Sequence, residues 1–240
     1  PIYRHLCALD FQSCRTETLR EDEIKAVNLR NHTTETITYA IGDVHGEAER
    51  LAQLHDTIFE RHQNLYPNAK LQLIHLGDYV DRGPDSAGVL NRMLQLSESD
   101  EVDSVALAGN HEAMMIAALA NEQGPDYQHW LRNGGEQTLQ SYTDLGHAGV
   151  PDAHVEWIQS LPTILVDERA RRIFVHAGLR PDSFPNESAE VHLWARSAEF
   201  FETQRWSGTP LQGWTVIHGH TPTESGWPDD NGGTNRRINI

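Results

Sequence analysis

The sequence predicts an α/β fold, and three observations carry that expectation. Apolar, β-rich runs stop at glycine and give way to stretches with helical periodicity. This unit recurs at intervals of roughly 30 residues, the length of a strand-helix-strand module. At 240 residues the chain suits a single domain with a sizeable core.

Residues 1–36 carry charge and few apolar side chains, so they read as an N-terminal extension with a weak helical pattern over Glu21 to Leu29. The core is expected over residues 37–240. Its first strand, Thr36 to Ile41, ends on Gly42-Asp43, and the helix after it places Leu51, Leu54 and Ile58 on one face. A second strand, Leu71 to Leu76, ends on Gly77-Asp78, ahead of a helix from about Asp85 with Ala87, Leu90 and Leu94 on one stripe. Val102 to Leu107 is the third, and Gly109-Asn110 then opens a helix rich in Met and Ala. In open parallel sheets ligands collect outside the carboxyl ends of the strands, where all three polar clusters fall.

Residues 123–161 read as a polar helical insert able to roof a site, with a helix end at Trp130 to Gly135 and a later helix led by Pro151. Short strands follow at Thr163 to Val166 and Arg172 to Val175, the second delivering His176. Trp214 to Ile217 delivers His220, and Arg236 to Ile240 alternates as a strand does. The C-terminus is therefore expected mid-sheet, with the last strands incomplete. The tryptophans Trp157, Trp194, Trp206 and Trp214 are assigned to core or lid packing.

A net charge of −16 and a pI near 5.2 exclude a partner held by phosphate neutralisation, so no nucleic acid is expected. No apolar run approaches the ~20 residues of a membrane span, and the chain reads as soluble and cytoplasmic. Cys7 and Cys14 lack a Cys-x-x-Cys spacing and read as free thiols, a disulfide being the alternative.

The chemistry lies in five glycine-flanked blocks: Gly42-Asp43-Val44-His45-Gly46, Gly77-Asp78-Tyr79-Val80-Asp81-Arg82-Gly83, Gly109-Asn110-His111-Glu112, Val175-His176-Ala177-Gly178 and Gly219-His220-Thr221-Pro222. Taken singly, a strand-terminal Asp or Asn is most often a helix cap. Taken together, they supply the mixed His, carboxylate and amide set of a two-metal phosphoesterase centre. Asp78 is placed as the bridge, Asp43 and His45 on one ion, and Asn110, His176 and His220 on the other. The expected ions are two divalent cations, Mn first, with Fe, Zn or Co compatible.

Arg82 can take two phosphate oxygens with its guanidinium. Asp81 and His111 form a candidate dyad in which the imidazole protonates the leaving oxygen and the carboxylate orients it. Glu112 is expected to support the Asn110 loop, and His75 and His218 to point away from the ions.

At these blocks the sequence resembles the phosphoprotein phosphatase superfamily of calcineurin-like binuclear metallophosphoesterases, in the style of its bacterial and phage-lambda-type members. The resemblance runs from about Ile37 to Ile240. It implies two mixed β-sheets packed as a sandwich and flanked by helices, with the six ligands above on the family's ligand motifs. It also implies catalytic roles for Asp81 and His111 and phosphate binding by Asn110, by Arg82 and by a second arginine. Arg196, in Leu193-Trp194-Ala195-Arg196, matches that second position, although read from the residues alone it could equally be a helix-surface charge. Pro222 stands where diesterase branches carry a further His, which favours monoesters. Ala108 stands where phage-type enzymes tend to have Arg.

The expected activity is hydrolysis of phosphomonoesters, on phosphoserine or phosphothreonine proteins with phosphotyrosine as a further candidate, by direct attack of a metal-bound hydroxide. The alternative is a dinucleoside-polyphosphate hydrolase such as one acting on diadenosine tetraphosphate. Those relatives tend to lack the Asp81 and Glu112 equivalents. A third reading is an inactive phosphopeptide-binding protein, which need not hold two metal equivalents.

Overall fold

A computed structural model describes residues 8–9, 27–29, 36–100 and 102–240. Two five-stranded sheets form its centre. The first contains β1 (Ala8–Leu9), β2 (Val27–Leu29), β3 (Thr36–Ile41), β4 (Lys70–His75) and β5 (Asp103–Ala106). β3, β4 and β5 run parallel in that order, while β1 and β2 both pair antiparallel with β3. Val27–Leu29 is thus a strand in the sheet, which corrects the helical reading of that end of the extension. Three residues are too few for a periodicity to register, and pairing with Thr36–Thr38 decides their conformation. Residues 21–26 of that reading, Cys7 and Cys14 lie outside the described residues.

The second sheet contains β6 (Ile164–Asp167), β7 (Arg172–Val175), β8 (Thr215–His218), β9 (Asp229–Asp230) and β10 (Arg236–Asn239), in the order β6-β7-β8-β10-β9. β7, β8 and β10 are parallel, and the two edge pairings are antiparallel. Both sheets are mixed, as expected.

The period-2 alternation of these strands builds the layers. Ala40, Ile74 and Leu107 from the first sheet cluster with Phe174, Ile217 and Ile238 from the second, forming the filling of the sandwich. Their neighbours face outward: Tyr39, Ile41 and Leu73 pack under helices on one side, and Ile173, Val175 and Val216 pack with Phe200, Trp206, Leu211 and Trp214 on the other. Each fully buried large side chain contributes about 1.5–3 kcal/mol.

The helices over the first sheet are α1 (Ala48–Leu65), α2 (Ser86–Ser97) and α3 (Asn110–Ala120), followed by the insert with α4 (Pro125–Trp130), α5 (Glu136–Asp144) and α6 (Asp152–Ser160). Asp85 caps α2 by accepting from the Gly88 amide at 2.7 Å. Between α4 and α5 the chain kinks over Leu131–Gly135, where Gly134 leaves helical geometry at φ 113°. Two short helices, α7 (Ala189–Trp194) and α8 (Ala198–Phe201), cover the second sheet. None of the helices among the described residues is long and apolar enough to cross a membrane.

Candidate active site

Every sequence-predicted site residue sits at the carboxyl end of a strand or just beyond it, apart from Arg196. Asp43 and His45 follow β3, Asp78, Asp81 and Arg82 follow β4, and Asn110 and His111 begin α3 after β5. His176 follows β7, and His220 comes two residues after β8. Arg196 lies between α7 and α8 and donates to the His220 carbonyl at 3.3 Å, so it too is at the site.

The loops are tied together by backbone. Val44 and His45 amides both donate to the Asp78 carbonyl, at 3.0 and 2.7 Å, and Gly46 donates to Tyr79. Glu112, fully buried, gathers four backbone amides: Asp78 (2.8 Å) and Gly109 (2.8 Å) on Oε2, Tyr79 (2.7 Å) and Val80 (3.3 Å) on Oε1. It does support the Asn110 loop, and it fixes the Asp78 loop as well. Where these two loops touch, a Cβ on Gly109 would sit 2.2 Å from Asp78 Oδ1 and 2.3 Å from the Asp78 amide nitrogen, so no side chain fits.

Three ligand-type atoms converge on Nε2 of His176. Its Nδ1 donates to the Leu76 carbonyl at 2.9 Å, an acceptor only, which leaves a lone pair on Nε2. That Nε2 faces Asn110 Oδ1 at 2.9 Å, His220 Nδ1 at 3.2 Å and Asp78 Oδ1 at 3.4 Å. Lone pairs facing oxygen acceptors repel unless a cation lies among them. The separations also suit one, since adjacent ligands about 2.1 Å from an ion stand about 3 Å apart.

The other side of Asp78 repeats the pattern. His45 Nδ1 donates to the Val80 carbonyl at 3.0 Å, and its Nε2 lies 3.5 Å from Asp78 Oδ2 and 2.9 Å from an Arg82 guanidinium nitrogen, a cation already drawn to that lone pair. His45, Asp78 and His111 bring one ligand atom each within 4.8 Å of one another, and so do Asp78, His176 and His220. Asp78 belongs to both groups and has the position of a bridge. Asp43 stands outside both: its Oδ1 accepts from the His220 amide at 3.0 Å and lies 3.9 Å from His176 Nδ1. Thus Asp43 leans toward the His176 and His220 side rather than completing the His45 group.

Electrostatics agree with a place for cations. Burial holds His45 down at about 3, and burial with the His176 and Arg196 fields holds His220 down at about 2, so both present neutral lone pairs at pH 7. Burial and the charge of Asp43 push the Asp78 carboxyl upward. A divalent ion would relieve that repulsion.

Beside this cluster His111 Nδ1 donates to Asp81 Oδ2 at 2.7 Å, the expected dyad. Burial raises Asp81 to about 7, against hydrogen bonds from Thr138 and Trp130. Burial, Arg82 and His176 lower His111 to about 3. A phosphate dianion beside His111 would offset the Arg82 field and favour the imidazolium.

His75 and His218 point away, as expected: His75 Nε2 meets His55 Nε2 at 2.9 Å, and His218 packs on Phe200 and Phe201 and meets Arg237 at 3.1 Å. Of the four tryptophans, Trp157, Trp206 and Trp214 are buried. Trp194 is not core: it is 43% exposed, with its ring edge-on to His220, centroids 6.1 Å apart. Sequence reasoning missed Trp130 and Thr138, both bonded to Asp81. Trp130 carried a faint signal as an aromatic at the edge of a polar helix, and Thr138 carried none.

Residues 38–237 match the family described as calcineurin-like phosphoesterase. The chain belongs to that family. It is 31% identical over 165 residues to serine/threonine-protein phosphatase 1 of Salmonella typhimurium, covering 66% of this chain and 68% of that protein, which supports the phosphoprotein phosphatase superfamily. It is also 31% identical over 144 residues to the symmetrical bis(5'-nucleosyl)-tetraphosphatase of Erwinia tasmaniensis, a match spanning 60% of this chain and only 45% of that enzyme. Among solved structures, a mutant of a cold-active protein tyrosine phosphatase superposes with a TM-score of 0.54 at 19% identity, over 85% of this chain and 70% of that one. This last likeness establishes the fold of two sheets flanked by helices.

Proposed function

We propose that this calcineurin-like phosphoesterase hydrolyses phosphomonoesters, with phosphoserine and phosphothreonine proteins as its substrate class. The observation that carries the reading is the buried His111–Asp81 pair, 2.7 Å apart and adjoining the Asp78 cluster. A monoester leaving as an alkoxide needs a proton, and His111, once a bound phosphate dianion favours its imidazolium, can give the one on Nε2 while Asp81 keeps Nδ1–H.

Asp43, His45, Asp78, Asn110, His176 and His220 would hold two divalent cations, with Mn preferred and Fe, Zn or Co accommodated by the same donors. Such ions, when bound, would supply Lewis-acid charge to the phosphoryl oxygens and lower the pKa of a bound water. Arg82 and Arg196 approach the phosphoryl group from opposite walls, beside His45 and His220 respectively. Arg82 leaves the His45 lone pair to do so, and its guanidinium then holds two phosphate oxygens. Asn110 adds a polar contact. His111 aims Nε2 at the leaving oxygen, because Asp81 holds the other ring nitrogen.

A second reading, hydrolysis of dinucleoside polyphosphates, is favoured by the exposed ring of Trp194 beside His220, a surface on which a nucleobase can stack. The test is turnover, measured side by side with Mn²⁺ present, on phosphoserine, phosphothreonine and phosphotyrosine peptides and on diadenosine tetraphosphate. Faster turnover of the peptides is expected. Faster turnover of the dinucleotide would overturn the choice. Absence of turnover with fewer than two bound metal equivalents would leave an inert phosphopeptide-binding protein.

A further inference from the structure

The Asp81 carboxylate is fully buried and takes donors from three directions. His111 Nδ1 reaches Oδ2 at 2.7 Å, the Thr138 hydroxyl reaches Oδ1 at 2.8 Å, and the Trp130 indole N–H spans both oxygens at 2.9 and 3.1 Å. Trp130 and Thr138 are themselves fully buried, and they come from the helical insert, 49 and 57 residues further along the chain. With three of its four lone-pair sites met from the insert, one by Thr138 and one on each oxygen by the Trp130 N–H, the carboxylate has one orientation and one remaining place for an imidazole.

The insert also holds the backbone beneath it. Thr138 Oγ1 accepts from the Asp81 amide at 2.9 Å, the Gly134 carbonyl accepts from the Arg82 amide at 3.2 Å, and Ser141 Oγ accepts from the Ala87 amide at 3.1 Å. Asp81 and Arg82 are both left-handed, with φ 72° and 70°, a conformation that side-chain-bearing residues keep only where surroundings impose it. The kink between α4 and α5 makes the grip possible: Gly134, at φ 113°, approaches so closely that a Cβ there would sit 2.5 Å from the Arg82 nitrogen. An insert that only roofed the site would need none of these bonds.

The geometry points to Trp130 and Thr138 as positioning residues for proton donation: by fixing the Asp81 carboxylate, the insert fixes which way His111 aims its Nε2. The inference rests on the phosphomonoester reading for its kinetic consequence, though not for its structural one. Losing either donor frees the carboxylate to rotate, and the imidazole loses its aim without losing its place in the fold.

Two substrates separate this role from a merely structural one. Phenyl phosphate has a poor leaving group that needs a proton, whereas p-nitrophenyl phosphate departs readily without one. Trp130→Phe removes the indole N–H, and Thr138→Val removes the hydroxyl while Ser86 Oγ still accepts from the Asp81 amide at 3.1 Å; both are expected to lower kcat on phenyl phosphate by about ten-fold or more, with p-nitrophenyl phosphate falling by no more than about three-fold and KM nearly constant for both. Thr138→Ser keeps the hydroxyl and should restore the ratio. In metal-free protein, the downfield Nδ1–H proton resonance of His111, assigned by its disappearance in His111→Gln, should shift or exchange away in Trp130→Phe and Thr138→Val.

Equal losses on both esters, or an unmoved His111 resonance, would overturn the inference. If Trp130→Phe does not fold, the comparison of Thr138→Val with Thr138→Ser decides. If the wild type turns over neither ester, the monoester reading fails, and the resonance still tests the positioning role by itself.

Discussion

Glu112 offers the most quantitative test of how the site is built, because its carboxylate terminates four backbone amides from the Asp78 and Asn110 loops. Replacing it by Gln keeps size and one acceptor oxygen but puts an NH₂ group where the other oxygen stood. In either amide orientation two of the four N–H groups then face a donor: those of Asp78 and Gly109 on one side, or those of Tyr79 and Val80 on the other. Burial and the Asp78 charge push Glu112 up to about 8, so the test is run above that pH, where the carboxylate is ionised; a buried donor left unsatisfied costs about 1–3 kcal/mol, and Glu112→Gln should cost about 2–6 kcal/mol. That is a large share of the ~5–15 kcal/mol a domain possesses. Urea unfolding of metal-free protein, followed by far-ultraviolet circular dichroism, measures it as a lower midpoint at constant slope. The same change should weaken metal binding about 10- to 100-fold, since it loosens the loop that carries Asp78. A loss below about 1 kcal/mol would refute the reasoning, because it would mean that the four amides reach other partners once the carboxylate is gone.

Gly109→Ala should lower the urea midpoint and bind metal at least about ten-fold more weakly by calorimetry, because its Cβ would push the Asp78 backbone and carboxylate, 2.2–2.3 Å away, out of place. Chelation should abolish phosphatase turnover and lower the unfolding midpoint, with Mn²⁺ restoring both; at a hundred-fold excess over Kd each site adds about 2.7 kcal/mol. Acid should destabilise the fold through the buried His55–His75 pair. Burial, with the His75 and Arg92 fields, holds His55 down at about 2, and burial holds His75 down at about 3. The unfolded chain therefore binds more protons below about pH 6.5, and stability present at pH 7 is lost on acidification, by about 2 kcal/mol per histidine at pH 5. The double variant His55→Leu/His75→Leu, compared with wild type in urea at pH 5 and pH 7, should show a shallower loss.

The sequence made the candidate site's membership legible because every residue but Arg196 stands within two positions of a glycine at the end of an apolar run, and that local grammar survives folding. His176 and His220 needed only the strands Arg172–Val175 and Thr215–His218 to place them. Partners contributed across the fold were another matter. Trp130 read only as part of a helix end and Thr138 as nothing in particular, since their bond partner Asp81 lies about fifty residues away and neither helix face announces it. Strand order was hidden for the same reason: β10 inserts between β8 and β9 through backbone pairing that leaves no periodicity of its own. Trp194 was assigned to packing because a Trp near apolar residues usually packs, and only the geometry of α7 shows its ring standing open beside His220.

The distribution of strain explains why so much of the fold is devoted to holding a few loops. Among the described residues, six non-glycine positions have left-handed backbone, and five of them are His45, Asp78, Asp81, Arg82 and His220. Each costs roughly 1–3 kcal/mol. In an extended strand, neighbouring side chains point to opposite faces, so a ligand, an acid partner and a phosphate fork could not all come from one short segment. Left-handed turns after β4 let Asp78, Asp81 and Arg82 do so. The three apolar clusters, lying between the sheets and on either outer face, contain none of these five residues and supply the compensating stability. The site is thus a local liability without cations, with strained backbone, a repelled carboxylate and imidazole lone pairs turned on one another. Bound metal would convert those same features into affinity, because a receptor already bent to the ligand's geometry has little left to reorganise.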